Sequence, residues 1–162
     1  MTRISRTLLT AMTLLVAPVA LAACGQGNGA ATYVQATQGA TGDGVEQNSA
    51  NGLLGIRGAV VVAKDGNFSI VTTLVNNGME NDALVAVGVG TGATSVHIDI
   101  PAGRTVSVGQ IGAPEHIFGT GLMSKPSAFV PVTFVFAKGG DITAKLLVRS
   151  PDGYWAGIRV KK

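Results

Sequence analysis

From Leu53 to Pro151 the apolar residues come in short β-branched runs cut by Gly, Asn, Asp and Pro. That pattern restricts the chain to strands more strongly than any other feature does. No window of about 11 residues sustains the 3.6-residue period of an amphipathic helix. The runs predict strands at Gly55–Ala63, Phe68–Asn76, Ala83–Val89, Thr94–Ile100, Arg104–Val108, Glu115–Thr120, Val130–Ala137 and Asp141–Arg149. Ile142, Ala144, Leu146 and Val148 alternate with Thr143, Lys145 and Arg149, and Phe68, Ile70 and Leu74 alternate with Ser69, Val71 and Thr73. Each such strand offers one apolar face. Asp65-Gly66, Asn77-Gly78 and Gly139-Gly140 read as turns. Short strands at this spacing predict an all-β fold, a two-sheet antiparallel Greek-key sandwich. Its core would be Val, Ile and Leu with Phe134 and Phe136.

The segment ahead of the strands is built for targeting. Arg3 and Arg6 give a short positive region, Leu8 to Leu21 an apolar one, and small residues follow, the three parts of an export signal. An apolar stretch of about 14 residues is short for a spanning helix, which needs roughly 20. Leu21-Ala22-Ala23-Cys24 ends the segment, and Cys24 is the only Cys of the 162 residues. One Cys excludes an internal disulfide framework and any CxxC site. The Leu-Ala-Ala-Cys run resembles the bacterial lipobox. That resemblance implies cleavage after Ala23, a diacylglycerol thioether on Cys24 and a new amino group open to acylation. The competing reading is an ordinary secretory signal with a chance Cys at its edge. The position directly after Leu-Ala-Ala and the Gly-rich stretch behind it favour the lipoprotein. Two or three acyl chains hold a protein at a membrane, where one binds only marginally.

The formal charge of +3 and the pI near 9.3 belong to the whole chain. Twelve Lys and Arg less Arg3 and Arg6 leave ten, against nine Asp and Glu that all follow Cys24. The mature excess lies at Arg159, Lys161 and Lys162. No basic stripe interleaved with aromatics is present, so the sequence predicts no nucleic-acid partner. With 46% hydrophobic and 13% charged residues the chain as a whole is not of the disordered class. The Gly-, Ala-, Gln-, Asn- and Thr-rich stretch from Gly25 to Gly52 is different, and reads as a flexible tether with Tyr33 and Val34 as its exception. The expected division is an export signal over 1–23, a lipidated Cys24 and linker over 24–52, a β-sandwich over 53–151, and a tail over 152–162 with the only Trp, Trp155.

Enzyme chemistry finds no footing. The carboxylates are scattered through turns and polar faces, and no Ser stands in a G-x-S-x-G elbow. Gly88-Val89-Gly90-Thr91-Gly92 lacks the Lys-Ser/Thr pair and following helix of a phosphate loop, and reads as a Gly-rich β-turn.

Three segments carry a family resemblance. They are Ile98-Asp99-Ile100-Pro101-Ala102-Gly103-Arg104, then Glu115-His116-Ile117-Phe118-Gly119-Thr120-Gly121-Leu122 with Lys125-Pro126, then Val130-Pro131-Val132-Thr133-Phe134-Val135-Phe136. In that order and spacing the chain resembles the PCu(A)C periplasmic copper chaperones, with their "IPAG", "HxMxxGL…KP" and "VPxTxxF" segments. Leu74 to Gly78 with Asp82-Ala83-Leu84 resembles the family's early strand and turn. The likeness spans about Ile56 to Arg149 and is nearest to the actinobacterial lipoprotein branch of the LpqE type. It implies a cupredoxin-like sandwich and, in the family, a copper(I) site of His and Met.

Soft copper(I) suits thioether and imidazole donors, and here the chain departs from the family. His116 matches the family histidine, but Phe118 stands where a methionine is expected, and Ala83 to Ser95 holds neither His nor Met. The remaining candidate metal residues are Met123, seven residues after His116, together with His97 and Met79. His97 alternates with Val96 and Ile98 and so should face solvent with Asp99. Structural roles are open for all four: a surface His97, a loop-bonding His116, and gap-filling or loop methionines.

The expected function is therefore an exported lipoprotein, held by Cys24 at the outer face of the cell membrane. Its sandwich would serve as a non-enzymatic binding or interaction module without cofactor. The alternative is a copper(I) metallochaperone with a rearranged His/Met site. A structural or envelope-assembly role, with dimerisation by an exposed sheet edge, is a further expectation, as is an envelope protein partner.

Overall fold

The computed structural model describes residues 44–160. Cys24 and the stretches read from the sequence as export signal and tether, as far as residue 43, lie outside the described residues. Nine strands follow in order: β1 (Val45–Asn48), β2 (Leu54–Lys64), β3 (Asn67–Asn76), β4 (Asp82–Val89), β5 (Gly92–Ile100), β6 (Thr105–Val108), β7 (Ile117–Thr120), β8 (Phe129–Phe136) and β9 (Asp141–Arg149). Each strand expected from the sequence is present, with shifted ends. β1 is additional.

The strands make a cupredoxin-like, two-sheet sandwich. One sheet holds β1, β2, β3, β6 and β7, and the other runs β5-β4-β8-β9. Pairing within both sheets is antiparallel. A short parallel ladder, Val61↔Val148 and Val62↔Arg149, joins β2 to β9 and nearly closes the structure. This ladder and an isolated parallel bridge, Val108↔Glu115, depart from an all-antiparallel arrangement.

Two bulges set which residues reach the core. In β2, Leu54 and Ile56 face inward before the bulge, and Ala59 and Val61 face inward after it. One extra residue inverts the parity of the strand. Gly58, with φ of +59°, supplies that residue in a region that disfavours any Cβ. The buried Thr72 of β3 stands opposite the bulge, and its hydroxyl donates to the carbonyl of Arg57 at 3.1 Å. A second bulge, in β4, moves the inward face from Leu84 to Val87 and Val89.

The core is the predicted one. Phe68, Ile70 and Leu74 pack with Ile142, Leu146 and Val148, and Phe134 and Phe136 lie among them. Its open end is tied by one carboxylate. Asp82 accepts from the backbone N–H of Ala83 at 2.7 Å, Lys138 at 3.1 Å and Gly139 at 2.7 Å, fastening the β8–β9 hairpin to the start of β4. Asn76 does the same for the β3–β4 turn. It donates to the carbonyls of Glu80 and Ile100 and accepts from Gly78 N–H.

Both borders of the expected 53–151 domain are extended. β1 lies within the stretch read as linker and pairs with β2 through Val45↔Ala59, Gln47↔Ile56 and Asn48↔Gly55. Local composition concealed it, because its hydrogen bonds come from β2 rather than from its own apolar content. The tail is also built in. After a 3-10 turn at Gly153–Trp155, Ile158 buries itself on Val60, Val62 and Val71, with Trp155 and Val160 alongside. β2 is consequently covered on both faces.

Candidate functional site

β7 hydrogen-bonds to β3 with Ile70↔Ile117 and Ser69↔Phe118. Ile117 is buried in the core. By strand alternation His116 and Phe118 then share the opposite, outer face. Their rings stack there, 5.5 Å apart and 15° from parallel. The tail reaches the same place. Arg159 carries its guanidinium carbon 5.9 Å above the Phe118 ring and brings Nη2 to 2.6 Å from His116 Nε2.

The chemistry of this contact settles the imidazole's form. A guanidinium has donors only, so Nε2 must accept, and the ring proton of the neutral imidazole resides on Nδ1. Nδ1 is buried with no hydrogen-bond partner among the described residues. The outward nitrogen, the one a metal would approach, is the one that Arg159 uses.

The other sequence candidates are dispersed. His97 faces solvent on β5, its Nε2 3.2 Å from Asp99 Oδ1, with the two side chains 72% and 82% exposed. Met123 is 91% exposed in the loop after β7. Its neighbour Leu122 donates its N–H to Gly66 O in the β2–β3 turn. Met79 is 96% exposed in the β3–β4 loop. The two methionines therefore lie beyond opposite ends of β3, a strand of 10 residues, which at ~3.3 Å per residue spans about 30 Å. Among the described residues no group of three or more His, Cys, Asp or Glu is placed to hold a metal ion.

Solved structures of PCuAC domains share this architecture. The chain superposes on the apo PCuAC domain from PmoF1 with a TM-score of 0.56 at 20% identity, covering 65% of this chain and 99% of that one. The apo PmoF2 PCuAC domain gives 0.55 at 20% identity over 67% and 97%. The copper-bound PCuAC domain from PmoF2 gives 0.54 at 20% identity over 65% and 98%. The domain has the PCuAC fold. No family model matches the chain, and no curated protein matches it either.

Sequence reasoning did not anticipate the part played by Arg159. The signal available was the Ile158-Arg159-Val160 run, an apolar–basic–apolar triplet of the kind that an extended segment lays on a sheet. Asp82 was likewise missed as a structural carboxylate. The Asp-Ala-Leu run that opens β4 was visible, but its backbone partners, Lys138 and Gly139, are remote in sequence.

Proposed function

We propose that this chain is an exported lipoprotein whose PCuAC-like sandwich works as a non-enzymatic binding or interaction module and does not carry the family's copper(I) site. The Arg159–His116 contact carries this reading. The retained histidine spends its outward nitrogen on a cation, and a bound metal ion there would face that guanidinium at close range. Phe118 offers no donor atom where the family has a thioether. The residues present do not fit a His/Met copper(I) site. The anchor follows from Leu21-Ala22-Ala23-Cys24, and it places the module at the outer face of the cell membrane, with envelope proteins as candidate partners.

The copper reading has in its favour that His116 is kept and that one fold neighbour is copper-bound. Titration of the purified chain with copper(I) against a competing chelator separates the two. The proposal expects no binding tighter than micromolar. Tighter binding that disappears in His116→Ala would overturn it. The anchor has a separate test. Cys24→Ser should abolish acyl labelling and move the protein out of the membrane fraction, and a variant that stays membrane-bound refutes the lipobox assignment.

A further inference from the structure

On the outer face of β2 and β3, opposite the sandwich core, lies a cleft of about 1000 Å³. This is the upper end of the range for small-molecule sites. Its apolar lining is Val71, Ile111, Tyr154, Trp155 and Ile158, and its polar lining includes Arg57, Gln110 and Arg149. No Asp or Glu lines it. Gly58, on the β2 bulge, has no side chain to fill the floor, and nothing approaches within 4 Å of where its Cβ would be.

Charge and shape narrow what fits. Arg57 donates only to neutral oxygens, at Gln47 O, Ile56 O and Asn48 Oδ1, and makes no ion pair with a described residue. Neutral acceptors leave the charge of this half-buried guanidinium uncompensated, so it still attracts an anion such as a carboxylate. Tyr154 and Trp155 meet edge to face at 86°, so they offer no pair of parallel faces to clasp a planar base. Aliphatic Val71, Ile111 and Ile158 suit a flexible chain instead. Ile111, 74% exposed on the β6–β7 connection, stands at the cleft rim with its side chain against Gly157 of the tail.

We infer that this cleft binds a single-chain amphiphile with a carboxylate head, its alkyl body against Val71, Ile111, Trp155 and Ile158 and its head at Arg57. The inference rests on reading the domain as a binding module, and it supplies that module's ligand class. The tail that carries Trp155 and Ile158 into the cleft wall is the one Arg159 fastens to His116. The residue that matches the family histidine thereby supports the cleft wall.

Trp155 is the only Trp of the chain and reports from the cleft wall. The purified Cys24→Ser chain, which has no acyl anchor to compete, is titrated with dodecanoate below its micelle concentration. The expected result is a saturable blue shift of Trp155 emission. Dodecyltrimethylammonium should produce no saturable shift. Binding should weaken at least tenfold in Arg57→Gln. It should weaken equally in Ile111→Asp, whose exposed position leaves the fold intact by circular dichroism. A linear, unsaturable response to dodecanoate overturns the inference, as does equal saturation by the cationic amphiphile or unchanged binding in Ile111→Asp. A chain that bound copper(I) tightly and still took up dodecanoate would remove the proposed function and keep the cleft.

Discussion

Arg159 Nη2 donates to His116 Nε2 across 2.6 Å, joining the C-terminal tail to the residue directly before β7. The contact lies next to the Ile158 that buries itself on Val60, Val62 and Val71, and it occupies Nε2 of the imidazole.

The pair should be energetically coupled. Arg159→Ala and His116→Ala should each lower stability by about 1 kcal/mol, since the bond is charge-assisted but lies at the surface. The double variant should lose less than the sum, because either substitution alone removes the contact. Urea denaturation of the four chains measures this. Strict additivity would show that the contact does not hold the tail.

Freeing the imidazole should raise metal affinity. Phe118→Met places a thioether beside His116, and Arg159→Ala releases Nε2. The combined variant should bind copper(I) about tenfold more tightly than the unaltered chain, or ~1.4 kcal/mol, and more tightly than Phe118→Met alone. Competition titration reads the difference. If Phe118→Met alone bound as well as the combined variant, Arg159 would not be blocking the nitrogen.

Asp82 should be among the costliest polar residues to remove. Asp82→Ala leaves three N–H groups without their acceptor, at Ala83, Lys138 and Gly139, and should destabilise by roughly 2–3 kcal/mol. Asp82→Asn retains one oxygen and should lose less. Chemical denaturation ranks them, and equal stability of Asp82→Ala and the unaltered chain would contradict the assigned role.

Gly58 should resist replacement for a backbone reason alone. A Cβ there meets nothing within 4 Å, yet φ is +59°. Gly58→Ala should therefore lower stability by about 1 kcal/mol. Gly88 has an ordinary backbone and its nearest neighbour at 3.8 Å from a built Cβ, so Gly88→Ala should be neutral or slightly stabilising. Thermal unfolding of both variants checks the contrast.

Much of the fold was legible in the chain. Alternation along β9 and β3 named the inward residues correctly, because a strand's faces repeat every second residue whatever its partners. The copper-site departure was legible too, since Phe118 stands in the sequence for anyone to read. The short strand β1 was not legible, being polar along its length and stabilised by β2. Nor was the burial of Ile158, which depends on a face that β2 exposes only after its bulge at Gly58.

The amino-acid sequence by itself determined the strand content, the inward residues of most strands and the shortage of soft metal donors. Each of these is local, set by residue type and a two-residue period. The tertiary structure alone decided that β9 runs parallel to β2, that the tail seals the outer face of β2, and that Arg159 meets His116. These relationships join residues such as 116 and 159, which are 43 positions apart. No local pattern encodes such a meeting, because only closure of the sheets brings the two surfaces together.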